Sequence, residues 1–130
     1  ELWQMYQKET TTPVKKQILQ AMFVGGNATR MIELAKGEKD PDLRSTAVRN
    51  LGMMGGAKTG DTLVEIYHGE KELAVRKNVV NALFIQGNAT ALVAIARKEA
   101  DPELKKTVVQ KLSMMQGKVV TDYMQELLSK

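Results

Sequence analysis

His68 is the only histidine in the chain, and there is no cysteine. A Ser–His or Cys–His couple, a thiolate nucleophile and a cysteine-bound zinc therefore have almost no material to be built from. No acid-rich cluster surrounds His68 in sequence. It reads as a residue near a helix end, where positive charge suits the dipole. Glu33 and Glu65 occupy equivalent places, but acid–base work by paired carboxylates needs a closed pocket that raises one pKa, and these two belong to an open, wet face. The chemistry that remains is recognition by charge. Arg30, Glu33 and Lys36 are three apart and share one helix face. Thr62, Glu65 and His68 are their equivalents, followed by Ala91, Ala94 and Arg97, then by Tyr123, Glu126 and Ser129. Stacked, these positions form a mixed-charge ladder, and Arg30, Glu33, Lys36, Glu65, His68 and Arg97 are the expected contacts with a protein or peptide partner. The glutamates in the ladder count against a groove that tracks phosphates.

A second charged set lies at the starts of other helices: Lys15, Lys16, Arg44, Arg76, Lys77, Lys105 and Lys106. In register they make a basic edge, the place for nucleic acid or an acidic protein. Asp42, Glu72 and Glu103 lie close in sequence and are expected to neutralise it. Two apparent motifs carry no weight. Gly52 to Thr59 is one residue from a phosphate-binding loop, but Ala57 stands where the glycine is needed and a helix, not a strand, precedes it. Asn27-Ala28-Thr29 and Asn88-Ala89-Thr90 fit a glycosylation triplet, yet helix capping accounts for both asparagines.

The elements that must position these residues follow from a repeat. Residues 1–69 overlay residues 62–130 without a gap, and roughly a third of the pairs are identical, which marks stacked units. Val14, Leu43, Val75 and Leu104 are equivalent, so the steps are 29, 32 and 29. The three extra residues are expected in a loop over Gly55 to Gly60. Each step predicts two helices. The first carries apolar residues at helical spacing: Val14, Ile18, Ala21 and Met22, then Leu43, Ala47, Val48 and Leu51, with Val75, Val79, Ala82, Leu83 and Leu104, Val108, Val109, Leu112 in the later copies. The second does likewise, from Met31, Ile32, Leu34 and Ala35 to Met124, Leu127 and Leu128. Thr12-Pro13, Asp40-Pro41 and Asp101-Pro102 predict an N-cap acceptor ahead of a proline. Gly26-Asn27 and Gly87-Asn88 predict a left-handed helix end followed by a capping side chain, and hence antiparallel hairpins. No alternating run is long enough for a strand.

The run Asp40-Pro41-Asp42-Leu43-Arg44, with Ala47-Val48 and Leu51-Gly52, resembles the start of a HEAT-like repeat of the short bacterial kind also found in phycobilin lyases. The copy at 101–112 keeps Asp-Pro-Glu-Leu-Lys and the Val and Leu positions. The copies at Val14 and Val75 keep only the apolar frame. The resemblance implies an all-α, right-handed solenoid of about four antiparallel helix pairs, with first helices on the convex side and second helices on the concave side. It also implies proteins as the usual partners, nucleic acid for some members and catalysis for a few. This chain offers no catalytic set and no aromatic wall beyond Trp3, so no enzyme activity and no cofactor are expected. A passive spacer between other domains is the remaining alternative.

Glu1 is equivalent to Thr62, inside a second helix. Residues 1–11 are therefore expected to end a preceding repeat, with Trp3 and Tyr6 having faced it, and repeats are expected over 12–39, 40–71, 72–100 and 101–130 of a longer protein. Ends without polar caps predict end-to-end self-association. Aromatics are 5% of the chain, so aliphatic residues must fill the core, and the eight methionines are expected as core filler. The net charge of +4 is mildly basic. No segment approaches the roughly 18 apolar residues of a membrane span.

Overall fold

The chain's computed structural model describes residues 1–54 and 57–129. The helices are α1 (Leu2–Lys8), α2 (Thr12–Val24), α3 (Ala28–Gly37), α4 (Pro41–Met54), α5 (Ala57–Gly69), α6 (Leu73–Ile85), α7 (Ala89–Lys98), α8 (Pro102–Ser113) and α9 (Lys118–Leu128). There is no strand among the described residues. The helices α2, α4, α6 and α8 stack in one layer, and α3, α5, α7 and α9 in a second, as an all-α solenoid requires. No helix of the described residues is long and apolar enough to cross a membrane.

Local chemistry explains the turns at Gly26 and Gly87. Gly26 and Gly87 take positive φ, 73° and 68°. At each, the glycine N–H reaches back to Phe23 or Phe84, and the following asparagine N–H to Met22 or Leu83, at 2.9–3.1 Å. These two bonds satisfy carbonyls that end a helix in the Schellman pattern. Asn27 and Asn88 then accept from the backbone of Arg30 and Ala91, which starts the next helix. Asp40 and Asp101 accept from the N–H two residues on, at 2.9 Å in both. Thr12 departs from expectation. The helix begins at Thr12 itself, and its hydroxyl donates to Asp40 across the unit boundary at 3.0 Å. Of the expected glycine loop, Gly55 and Gly56 lie outside the described residues, while Ala57 to Gly60 already belong to α5.

The core runs continuously through both layers. Leu19 and Val80 are fully buried as well as the positions picked out by periodicity, because a first helix sits between a second helix and the neighbouring first helix and must be apolar on two sides. Val14 and Ala21 are exposed, since α2 has a first helix on one flank only. The methionines divide. Met22 and Met31 are core; Met5, Met53 and Met114 are exposed, so the core-filler reading fails for those three. At the far end Val120 and Tyr123 are buried and Leu128 is exposed, a rotation of α9 away from the expected frame. Tyr6 is buried against the unit that follows it, with Trp3 stacked on its ring at 5.9 Å.

Two helices come very close at Gly52. A Cβ built there would lie 2.6 Å from the Cβ of Ala82 and 2.9 Å from its Cα, so α4 and α6 touch nearly backbone to backbone. Gly52→Ala should therefore cost about 1–3 kcal/mol, the usual range for overpacking. Gly37→Ala, where the added carbon meets nothing within 4 Å, should be neutral or slightly stabilising. Chemical denaturation of both variants checks this, and equal midpoints would show that α6 moves freely away from α4.

Candidate functional site

One edge of the solenoid is where second helices end and first helices begin. A glutamate stands there in every unit: Glu9, Glu38, Glu70 and Glu99, spaced 29, 32 and 29. Each accepts the backbone N–H two residues on, from Thr11, Asp40, Glu72 and Asp101. Three of them also take a donor from another helix. Tyr6 donates its hydroxyl to Glu38 at 2.5 Å, and Tyr67 donates to Glu99. Arg44 grips Glu70 with Nε and a terminal nitrogen, both at 2.9 Å. Backbone carbonyls complete the joint: Glu38 accepts from Arg44 at 2.8 Å and Glu70 from Arg76 at 2.7 Å.

Burial pushes both tyrosine hydroxyls well above their ordinary pKa, helped by the hydrogen bond and charge of the facing glutamate. Burial also pushes the Glu70 carboxyl up, but the hydrogen bonds and charge of Arg44 and the N–H of Glu72 outweigh it and the net shift is downward. For Glu99 burial likewise works upward, and the bonds from Tyr67 and Asp101 with the Arg76 charge bring the group below its ordinary value. Beside the joints are clefts. One of about 490 Å³ is lined by Tyr6, Lys15, Leu34 and Glu38, and one of about 290 Å³ by Tyr67, Arg76, Ile95 and Glu99. These are the same site in the two 61-residue copies. Lys15 lies 4.9 Å from the Tyr6 ring centre and Arg76 5.0 Å from that of Tyr67.

The expected inner-face residues lie on the outer surface of the second layer. Arg30 pairs with Glu33 at 3.0 Å and lies 4.4 Å above the Trp3 ring. Lys36 of α3 reaches Glu65 of α5 at 3.2 Å, and Arg97 of α7 reaches Glu126 of α9 at 2.9 Å. These rungs are equivalent, and both tie one unit to the next. Between α5 and α7 the same places hold His68 and Ala94, both exposed, and no rung forms. His68 packs edge-on to Tyr67 at 5.8 Å. Tyr123, expected on this face, is buried beneath Arg97 instead.

The basic edge is largely occupied. Lys16 pairs with Asp42 at 2.7 Å and Lys77 with Glu103 at 2.8 Å, so these expected acids do neutralise the edge, but each serves a lysine 26 residues earlier, in the preceding unit, rather than the cations next to it in sequence. Arg44 and Arg76 serve the joints, through Glu70 and Glu99, rather than the nearby acids. Lys105 and Lys106 border an open groove with Pro102 and Val109. The near phosphate-loop run has Gly52 to Met54 in α4 and Ala57 to Thr59 in α5, with Gly55 and Gly56 outside the described residues. The joint glutamates were not picked out from sequence, although the 29, 32, 29 spacing carries them as plainly as it carries the leucines.

Residues 28–113, well over half of the chain, match the family model of HEAT repeats. No curated protein matches the chain.

The joints carry a pH signature. A carboxyl held below its ordinary range contributes stability above the unfolded pKa of about 4.3, and loses it as pH falls through the lower folded value. Glu70→Gln should cost about 1.5–3 kcal/mol at neutral pH, the range for a hydrogen bond to a charged group. Its deficit against the parent should then shrink as pH is lowered from about 5 towards 3, because the parent loses the same contribution. Urea midpoints of both proteins across that range test the assignment; parallel curves would remove Glu70 from the joint's energetics.

Proposed function

The chain belongs to the HEAT-repeat family, and on that premise we propose that it is a non-catalytic scaffold that holds a protein or peptide against the face of α3, α5, α7 and α9. HEAT repeats commonly serve as protein-interaction scaffolds, and the family is typically non-catalytic. The supporting observation is the break in the ladder. Lys36–Glu65 and Arg97–Glu126 close the rungs on either side, while His68 and Ala94 leave the middle open. A partner backbone can approach Ala94 closely there, with His68 and Lys98 beside it at the cleft under Tyr67. The flanking rungs contribute little stability, a few tenths of a kcal/mol for exposed pairs. Their use is to hold long side chains in place before binding, which lowers the ordering cost, and to exchange an internal partner for an external one of complementary charge.

Protein is preferred over nucleic acid because four of the seven cations of the basic edge are already matched by carboxylates. A phosphate-tracking edge needs its cations free of internal partners.

Charge reversal at Glu33 and Glu65 together should leave the circular dichroism spectrum unchanged and weaken partner binding by about tenfold or more, equivalent to a ~1.4 kcal/mol contact. Ala94→Trp should do the same without altering charge, by filling the break. The protein captured by the parent chain from nuclease-treated lysate of its own organism is identified by mass spectrometry, then titrated against parent and variants. Undiminished affinity in both variants would overturn this face as the binding site.

A further inference from the structure

The joints at Glu38, Glu70 and Glu99 are built alike, but a tyrosine ring fills only the first and the last. Beside Glu70 lies a hollow of about 220 Å³, lined by Ala35 and Lys36 of α3 and by Glu65, Ile66, Gly69 and Glu70 of α5. Each of these six has its counterpart in the cleft around Tyr6, where Leu34 and Glu38 stand for Ile66 and Glu70. Five of the six recur around Tyr67, with Ile95 and Glu99 in those places. The hollow is therefore the same site, with Ala35 where the other two have tyrosine. It is large enough for the missing ring, since a cavity of roughly 150 Å³ holds benzene.

The filled joints show what this shape accepts. Their floor is aliphatic, Leu34 and Ile95, and Ile66 matches it. A cation stands over each ring, Lys15 at 4.9 Å and Arg76 at 5.0 Å, and Arg44 is their equivalent at Glu70. Each tyrosine hydroxyl donates to the carboxylate oxygen that the backbone N–H leaves open. At Glu70 the N–H of Glu72 takes Oε2, so Oε1 is the counterpart. Among the described residues Oε1 accepts only Nε of Arg44, and a carboxylate oxygen has two lone pairs. Glu99 shows that tyrosine and arginine fit together, because its Oε1 takes the Tyr67 hydroxyl and lies 3.8 Å from Arg76.

We propose that the partner held on the second-helix face, the reading on which this rests, places a tyrosine side chain in the hollow, its ring on Ile66 and its hydroxyl donating to Glu70 Oε1. Charge narrows the choice to a neutral donor. A lysine or arginine would face Arg44 and Lys36, and an acidic side chain would face Glu65 and Glu70. Phenylalanine fits the floor but brings no donor. Lys36 and Glu65 border the hollow and form the rung beside the break at Ala94, so a chain laid in that break passes next to it.

The probe is N-acetyl-tyrosinamide, titrated into isotope-labelled chain and followed by amide NMR. Resonances of Ala35, Ile66, Gly69 and Glu70 should shift saturably. N-acetyl-phenylalaninamide should bind about tenfold or more weakly, the loss expected for one hydrogen bond to a charged acceptor. Ala35→Tyr supplies the ring from within, as the Tyr6 and Tyr67 joints do, and should abolish probe binding with helicity unchanged. Absence of shifts in the parent chain, equal affinity for the two probes, or undiminished probe binding in a folded Ala35→Tyr chain would each overturn the proposal. The parent titration decides the question without the variant, should Ala35→Tyr fail to fold. Ala94→Trp reports on the face separately. It leaves the hollow intact, so it should weaken the partner and not the probe. Absent probe shifts remove the tyrosine and leave the face standing, whereas a partner indifferent to Ala94→Trp removes the face and its tyrosine together.

Discussion

The structure depends on a carboxylate at each unit boundary. A solenoid must end one helix, turn and begin another at a place packed against the next unit, and both helix ends leave backbone groups without partners. Glu38, Glu70 and Glu99 meet that demand with one side chain each. The carboxylate accepts the N–H of the incoming loop, and its outer lone pairs take a tyrosine hydroxyl or an arginine from another helix. The Glu70 side chain is only 6% exposed. A charge so placed is tolerable only while its donors stay in position, so the angle between successive units is set by hydrogen-bond geometry as much as by side-chain packing. Apolar burial drives the stacking, and the joint chooses one stacking among several that would bury similar area.

The joint also explains why the chain repeats at 61 rather than near 30. The residue that faces Glu38, Glu70 and Glu99 across the boundary is Tyr6, Ala35 and Tyr67 in turn. Where it is tyrosine, the ring fills the boundary and its hydroxyl supplies the donor. Where it is Ala35, the hydroxyl is missing and Arg44 takes over with two nitrogens. Two solutions to one hydrogen-bonding problem alternate, and each requires its own neighbours. Arg44 must be an arginine to reach both carboxylate oxygens, since a lysine is a point charge without the fork. Lys15 has only to lie over the Tyr6 ring, and a lysine suffices. The true building block is therefore a pair of helix hairpins, and selection for a matched pair keeps the longer period visible in the residues.

Fold and site were unequally legible in the sequence. Helix spans, the Gly-Asn turns and the Asp-Pro starts were legible because each is a local rule with a local cause, and the family match agrees with the solenoid they imply. Thr12 misled because Thr-Pro is an equally good start signal one residue later, and its hydroxyl found Asp40 in three dimensions. Met53 and Met114 misled because repetition was read as burial. Equivalent positions share an environment, but that environment can be solvent. The joint glutamates were overlooked for a related reason. Surface charge carries no periodicity requirement of its own, so a glutamate in all four units looks unremarkable until the donors from other helices are in view. Arg44 and Arg76 were read with the acids nearest in sequence, whereas their partners lie 26 and 23 residues away.

The two edges of the solenoid divide the work of specificity. On the joint edge, Arg44 and Arg76 are directed inward and nearly satisfied, so it presents little free charge to a partner despite its basic composition. On the opposite edge the turns need no ionic help, because Gly26 and Gly87 close their helices with backbone bonds alone. That edge is therefore free to carry any exposed side chain, and nothing in the folding of a hairpin asks for an apolar one there. Val24, Met53, Ile85 and Met114 are each more than half exposed, and each raises the risk of unwanted association. A liability repeated in four units out of four is hard to attribute to packing. Exposed apolar side chains repeated at one place in every unit are the usual mark of an interaction surface.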